Sequence, residues 1–144
     1  MRFMGEYNHT VDTKGRLIIP TDFREGLGAK FVVTKGFDGC LFAYPQDAWE
    51  KFEEKLEALP LVRKEARTLV RFFVSGARTC ELDKQGRILV PSVLREFAGL
   101  EKDVVLAGAT NRVEIWSKSR WAQISAVDDM EDIAQQMADL GLDI

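Results

Sequence analysis

The stretch "DTKGRLIIP", from Asp12 to Pro20, returns as "DKQGRILVP", from Asp83 to Pro91. When residues 12–28 are laid over residues 83–99, seven of seventeen positions are identical. Average composition would give about one identity over this length. The chain therefore carries an internal duplication, which decides how the rest of the sequence is interpreted.

Each copy predicts a strand, a tight turn and a second short strand. Residues 6–11 alternate between polar and apolar side chains, the period of a half-buried strand. The following "DTKG" and "DKQG" predict turns, because Asp can bond its own downstream backbone and Gly accepts a positive φ. Pro20 and Pro91 should end the second strands, since proline has no N–H for a ladder.

A short helix and a β-hairpin are predicted after each proline. Thr21 and Ser92 are suitable N-caps, and Gly26 or Gly28 in the first copy and Gly99 in the second are suitable ends. Apolar runs then predict two further strands in each copy. One copy has only about 45 residues, too few to bury a core easily. We therefore expect the copies to pair in one pseudo-twofold, barrel-like core.

Helical sequence joins the two copies and follows the second one. Apolar residues recur every three or four positions over residues 46–59, and Pro60 should break this helix before another over residues 61–74. A third helix is predicted from Ser117 to Leu140. The apolar stripe expected on the second helix consists of Val62, Ala66, Leu69, Val70 and Phe73. Its other side carries Arg63, Lys64, Arg67 and Arg71, interpreted as a solvated face or as a contact with phosphate or a neighbouring subunit.

Charge is distributed unevenly along the chain. The formal net charge is −3, yet residues 128–144 hold six acids and no Lys or Arg, which leaves the remainder at +3. The acidic tail is interpreted as a solvated helical face or as a segment that shields a basic surface. Apolar runs are too short for a membrane span, and Cys40 and Cys80 are isolated, which favours a reducing cytoplasm.

Enzymatic chemistry finds little support in the sequence. His9 is the only histidine, and neither a GxSxG elbow nor an HExxH motif accompanies it. The thiols lack the CxxC spacing of a zinc site. We therefore expect a non-enzymatic protein with no cofactor, no metal and no small-molecule substrate, and we expect His9 to be a packed or half-exposed strand residue.

The duplicated turn is the best candidate for a binding site. In the first copy it consists of Thr13, Lys14, Gly15 and Arg16. Lysine meets a phosphate as a point charge, arginine can fork onto phosphate or guanine, and glycine permits close approach of the backbone. Two such loops related by a twofold axis could straddle a DNA duplex. The alternative is that these residues serve only the turn, with Arg16 paired to an acid.

The second loop is an imperfect copy of the first. Gln85 replaces the lysine, Arg87 is retained, and Lys84 partly restores the charge. Lys84, Gln85 and Arg87 are therefore weaker DNA-binding candidates. Arg24 and Arg95 also correspond, and the acid that follows each of them suggests a structural ion pair.

These motifs resemble the MraZ family over about residues 4–121. The resemblance rests on the two duplicated phrases and on "VTKGFDGCLFAYP", in the family's order and spacing. It implies an α+β, mainly β fold: a double-psi-like swapped-hairpin AbrB barrel from two tandem copies. It also implies a regulator of the division and cell-wall gene cluster, a homo-oligomeric ring, and double-stranded DNA with direct repeats as partner.

The resulting domain prediction has four parts. Residues 5–47 and 76–119 are the two SpoVT-AbrB modules, residues 48–75 the helical bridge, and residues 120–144 the C-terminal helix and acidic tail. We expect a cytoplasmic, nucleoid-associated protein without membrane contact. The competing interpretation is an antitoxin-like module that binds a protein partner through its tail.

Overall fold

The computed structural model describes residues 2–144, which form an α+β fold with a mostly antiparallel sheet. Its strands are β1 Glu6–Thr10, β2 Arg16–Ile18, β3 Lys30–Lys35, β4 Leu41–Pro45, β5 Arg78–Glu81, β6 Arg87–Leu89, β7 Asp103–Gly108 and β8 Val113–Ser117. Its helices are α1 Thr21–Leu27, α2 Gln46–Glu57, α3 Lys64–Gly76, α4 Ser92–Ala98, α5 Lys118–Ser125 and α6 Met130–Gln136.

The two copies exchange strands. Six strands form one sheet in the order β1-β7-β8-β4-β3-β5, so β1 of the first copy pairs with β7 of the second. In the same way, β5 of the second copy pairs with β3 of the first. Each copy thus covers an edge that the other would leave open.

The strands described do not close into one continuous barrel. The large sheet ends at β1 and β5, and β2 forms a separate ladder with β6, apart from one isolated bridge between Leu17 and Val11, the residue after β1. These two strands have three residues each, and Pro20 and Pro91 follow soon after. A proline cannot donate to a ladder, so the β2–β6 ladder cannot continue past Pro20 or Pro91.

Apolar side chains cover both faces of the large sheet. The central core includes Leu17, Phe23, Phe31 and Ile88, which pack between the sheet, the β2–β6 ladder and α1 and α4. The opposite face packs against the bridge helices α2 and α3 through the second apolar cluster. This explains why β4 is buried along its whole length instead of alternating. The second cluster contains Val32, Cys40, Phe42, Tyr44, Trp49, Leu56, Phe73, Val105 and Trp116.

The bridge forms the two predicted helices, but the stripe predicted on the second was partly wrong. Ala66 and Phe73 are buried and Val70 is half-buried. Val62 is 88% exposed because α3 begins only at Lys64, and Leu69 is 36% exposed. Helix α3 therefore meets the body through a narrow face and leaves part of its apolar surface in solvent.

The helix starts were also predicted wrongly in detail. Thr21 and Ser92 are the first helical residues, the N-cap positions belong to Pro20 and Pro91, and no side-chain cap bond forms at either helix. The predicted ends fit better. At Gly28 φ is 85° and at Gly99 it is 63°, values that glycine adopts without a Cβ penalty.

The predicted C-terminal helix is broken into pieces. Helix α5 ends at Ser125, α6 covers Met130–Gln136, and a 3-10 turn follows at Met137–Leu140. None of the helices in residues 2–144 combines the length and apolar character that a bilayer crossing requires.

Candidate nucleic-acid interface

The first duplicated turn is built around the Asp12 side chain. Its Oδ1 accepts hydrogen bonds from the backbone N–H groups of Lys14 (3.0 Å) and Arg16 (2.9 Å). Its Oδ2 accepts one from Nε of Arg16 at 2.6 Å. Gly15 closes the turn: its φ is +84°, and its N–H donates a hydrogen bond of 3.0 Å to the Asp12 carbonyl. The carboxylate thus folds the loop and holds the arginine at once.

The second turn reproduces this geometry around Asp83. The carboxylate accepts from the backbone N–H groups of Gln85 and Arg87, both at 2.9 Å, and from Nε of Arg87 at 2.8 Å. Gly86 takes φ +76° and bonds back to the Asp83 carbonyl at 3.0 Å. The replacement of lysine by glutamine therefore leaves the backbone of the loop unchanged.

The two turns stabilise the charged form of their acids. Backbone hydrogen bonds from Arg16, together with its guanidinium, lower the pKa of Asp12. Arg87 lowers the pKa of Asp83 in the same way. Both carboxylates therefore stay ionised at neutral pH, and the turn bonds that depend on them weaken only in acid.

The β2–β6 ladder sets the spacing of the two loops. Arg16 lies opposite Leu89 and Ile18 opposite Arg87, so the loops approach the ladder from its two ends. With a rise of about 3.4 Å per residue and strands about 4.8 Å apart, the Cα atoms of Arg16 and Arg87 lie ~8 Å apart. Two backbone bonds of 2.9 Å, from Ile19 N–H to the Gly86 carbonyl and from Val90 N–H to the Gly15 carbonyl, tie each loop to the other copy.

Arg24 and Arg95 support the loops across the copies. Each donates from Nε to a carbonyl in its own copy, Arg24 to Ile19 at 2.8 Å and Arg95 to Val90 at 3.0 Å. A Cβ on Gly15 would lie only 2.9 Å from Cζ of Arg95, and a Cβ on Gly86 would collide with the Arg24 guanidinium. Each guanidinium thus lies flat on the loop glycine of the other copy.

This finding replaces the structural ion pairs predicted for the two arginines. Within residues 2–144 neither arginine forms a salt bridge with the acid that follows it. Sequence reasoning missed the actual role because each partner glycine lies on the other copy. Gly86 is 62 residues from Arg24 in the chain, and Gly15 is 80 residues from Arg95. The available signal was that both arginines belong to the seven positions identical between the repeats.

The predicted site residues differ in their exposure to solvent and therefore in their access to a ligand. Thr13, Lys14, Lys84 and Gln85 are exposed. Arg16 is partly engaged, with a side chain 34% exposed and Nε on Asp12. Gly15 is buried beneath the guanidinium that covers it. The cations are therefore neither sealed inside the protein nor wholly neutralised.

The pair of loops concentrates positive charge. Each loop has two cations and one carboxylate, and Arg24 and Arg95 add one cation each, so these eight side chains together carry a formal charge of +4. The whole chain has a net charge of −3. Clustered cations create a positive local potential even on a protein of negative net charge. This potential attracts a polyanion such as nucleic acid.

The remaining titratable candidates are packed. His9 lies half-buried on β1, where burial and the charge of Arg24 lower its pKa. Burial raises the pKa of the Cys40 thiol to about 12 and that of Cys80 to about 11. Within residues 2–144 no three His, Cys, Asp or Glu side chains gather as a metal site would require.

Comparison with known proteins gives a family match over both halves of the chain. The model of the family described as "MraZ protein", which that description also calls antitoxin-like, matches residues 2–72 and again residues 73–142. The two matches divide the chain between the duplicated phrases.

Full-length relatives agree with this match. "Transcriptional regulator MraZ" of Moorella thermoacetica is 57% identical over 142 residues, covering 97% of this chain and 99% of the relative. The protein of the same name from Desulfitobacterium hafniense (strain DSM 10664 / DCB-2) is 58% identical with the same coverage. That from Clostridium beijerinckii is 55% identical over 141 residues, again 97% and 99% of the two chains. With two copies of the family model in one chain and relatives this similar along its length, the chain belongs to the MraZ family.

Proposed function

We propose that this chain is a non-enzymatic, sequence-specific DNA-binding regulator of transcription. The observation that carries the proposal is the pair of cationic loops at the two ends of one ladder, with the Cα atoms of Arg16 and Arg87 ~8 Å apart. Relatives more than half identical to the chain are named transcriptional regulators. A two-stranded ribbon with its loops fits the major groove of B-DNA, which is about 12 Å wide.

The first loop makes the principal contacts. Thr13 and Lys14 meet phosphate, and Gly15, which the Arg95 guanidinium covers, forms the tight turn that presents them. Arg16 contacts a base edge while Asp12 fixes its Nε, since a guanidinium can donate to two partners at once. The second loop contributes less through Lys84, Gln85 and Arg87, because the neutral amide of Gln85 stands where the first loop has Lys14.

The finer parts of the proposal follow the family resemblance. The target is the promoter of the division and cell-wall gene cluster, at direct repeats, and the protein acts at the nucleoid as a homo-oligomeric ring. The exchange of β1 and β5 between copies supports the swapped-hairpin arrangement of tandem AbrB-like modules. We retain residues 5–47, 48–75, 76–119 and 120–144 as the domain boundaries.

Avidity supports the choice of repeated sites. Two exposed loop lysines and partly engaged arginines per chain should give weak binding to one site. A ring that meets several repeats makes each later contact intramolecular, which can raise the apparent affinity by roughly 10² to 10⁴. Binding should also weaken steeply with salt, because phosphate contacts release counterions.

Selection of bound fragments from random duplex DNA tests the proposal. Wild-type protein should enrich a short repeated motif. Arg16→Ala should keep its oligomeric state and lose the motif, whereas Lys55→Ala, an exposed lysine on α2, should behave as wild type. The proposal is refuted if wild type enriches no sequence, or if one repeat binds as tightly as three.

An antitoxin-like role is the second candidate. It is favoured by the family description and by the exposed acidic segment after Asp128, whose charge suits a basic protein partner. Co-purification of a small basic protein that is lost when the tail acids are replaced by amides would support this role instead.

A further inference from the structure

The C-terminal segment presents an apolar stripe that its own chain covers only in part, with Ile133 39% and Met137 38% exposed. From Ala122 to Ile144 every residue is exposed except Ala134, which is half-buried. Met130, Ile133, Met137 and Leu140 recur at spacings of three, four and three, which aligns them on one helical face. Met130 is 58% exposed and Leu140 81%.

So short a helix needs a partner to persist. Helix α6 has seven residues and the 3-10 turn adds four. Isolated helices below about 12–15 residues are marginal in water. The segment from Asp128 to Ile144 has six acids and no Lys or Arg, so an anionic lipid surface, which attracts Lys and Arg, is a poor match.

An open apolar groove lies on the bridge helix. It has a volume of about 670 Å³ and is lined by Phe37, Lys64, Glu65, Thr68, Leu69 and Phe72. Phe37, from the turn between β3 and β4, is 54% exposed and stacks on Phe72 with ring centroids 6.3 Å apart. Leu61 and Val62, just before α3, are exposed as well. Apolar area of this kind on a protein surface commonly marks an interface.

Charge relates the groove to the C-terminal segment. Four cations on and before α3 face solvent at least in part, and Glu65, the one acid lining the groove, is paired with Arg63 at 2.8 Å. The C-terminal segment has six acids and no cation. An apolar stripe flanked by acids thus matches an apolar groove next to cations. The four cations are Arg63, Lys64, Arg67 and Arg71.

We propose that the acidic C-terminal helix of one copy packs its apolar stripe into the α3 groove of a second copy. Within one chain the segment and the groove both remain open to solvent. A contact between two different surfaces repeats from copy to copy and closes into a ring when the rotation permits. The inference deepens the self-association in the proposed function and rests on that part alone, since the DNA loops take no part in it.

Disulfide trapping between two differently tagged, co-expressed chains tests the docking. One chain carries Leu69→Cys in the groove and the other Met137→Cys in the stripe. The native thiols are buried with raised pKa values, so they should not compete. The matched control replaces Met137→Cys by Gln135→Cys, on the opposite side of α6.

The proposal predicts a disulfide joining the two tags, formed several-fold faster with Met137→Cys than with Gln135→Cys. Equal rates for the two partners would overturn it. A Leu69→Cys/Met137→Cys chain that closes only within itself would also overturn it, because the helix would then occupy its own groove.

Sedimentation of charge variants gives an independent measure. Met137→Asp should weaken association about tenfold or more, since it replaces an apolar side chain that the docked helix would bury between two copies. Gln135→Asp should leave association unchanged. Unchanged association of both variants would overturn the docking. Such a result would leave binding to a single DNA repeat intact, so failure of the docking is distinguishable from failure of the proposed function.

Discussion

At the scale of single residues, one carboxylate decides what the loop cations can do. Asp12 accepts hydrogen bonds from two backbone N–H groups and from Nε of Arg16. The Arg16 side chain is therefore held in place before any ligand arrives. Lys14 donates only its backbone N–H to the same carboxylate, and its side chain is exposed. The fixed arginine is therefore suited to specificity and the free lysine to general affinity for phosphate.

Lys14→Ala should weaken binding to every DNA sequence by a similar factor. The variant loses a point charge and no base contact, so the slope of log affinity against log salt should fall by about one for each first loop bound to the DNA. Titrations of specific and random duplexes at several salt concentrations measure this, with Lys118→Ala on α5 as control. A loss confined to the specific sequence would assign Lys14 to base reading instead.

His9 should make the folded protein less stable as the pH falls. Burial and Arg24 lower its pKa, so the unfolded chain takes up a proton first, near pH 6.5. Stability is therefore complete above about pH 6.5 and is lost as the pH falls toward the pKa of the folded state. Denaturant unfolding at several pH values between about 7.5 and 5.5 measures the effect.

His9→Gln is the matched variant for this prediction, because the chain has no other histidine. It should abolish the slope in that pH window, where carboxylates titrate little. A slope that persists in the variant would show that another group is responsible.

At the scale of elements, the loops depend on glycines for two separate reasons. Gly15 and Gly86 need a positive φ, and each also lies beneath a guanidinium of the other copy. The first requirement is local and was predicted from "DTKG" and "DKQG". The second involves Arg95 and Arg24, which only the folded structure places there.

Gly86→Ala should destabilise the fold by more than its backbone strain alone. A non-glycine residue at positive φ costs of order 1–3 kcal/mol, and the new Cβ must also displace Arg24. The control is the same substitution in an Arg24→Ala background, where no guanidinium has to be displaced and Gly86→Ala should cost only the backbone strain. Equal losses of unfolding free energy in the two backgrounds would contradict the packing role of Arg24.

Element boundaries were harder to predict than element types. The bridge helices, the hairpin of β3 and β4 and the glycine helix ends follow the sequence pattern. Thr21 and Ser92 failed as caps because each preceding proline, with φ near −55°, already occupies the cap position. The C-terminal helix breaks at residues 126–129: α5 packs on the body through Trp121, whereas the residues from 126 onward are exposed apart from Ala134.

At the scale of the whole molecule, the exchange of strands makes the two copies one folding unit. β1 has its partner β7, and β5 its partner β3, in the other copy. The ladder of β2 with β6 also needs both copies. Neither half can satisfy these backbone groups as a monomer.

Chains cut into residues 1–72 and 73–144 should therefore not fold as monomers. Each half alone should be largely unfolded when dilute, or should associate with itself to replace the missing strands. Co-expression should restore one stable particle. Circular dichroism together with sedimentation over a range of concentrations measures this, and a folded monomer of either half would contradict it.

The sequence by itself determined the duplication, the order of strands and helices, and the cationic turns, because these depend on local backbone preferences and short-range periodicity. Only the tertiary structure decided that β1 lies on β7, that Arg95 covers Gly15 and Arg24 covers Gly86, and that the C-terminal stripe is left partly uncovered. The physical reason is the range of the contacts. A turn needs only its own four or five residues, whereas a guanidinium stacked on a glycine of the other copy exists only once both copies have packed their apolar faces together.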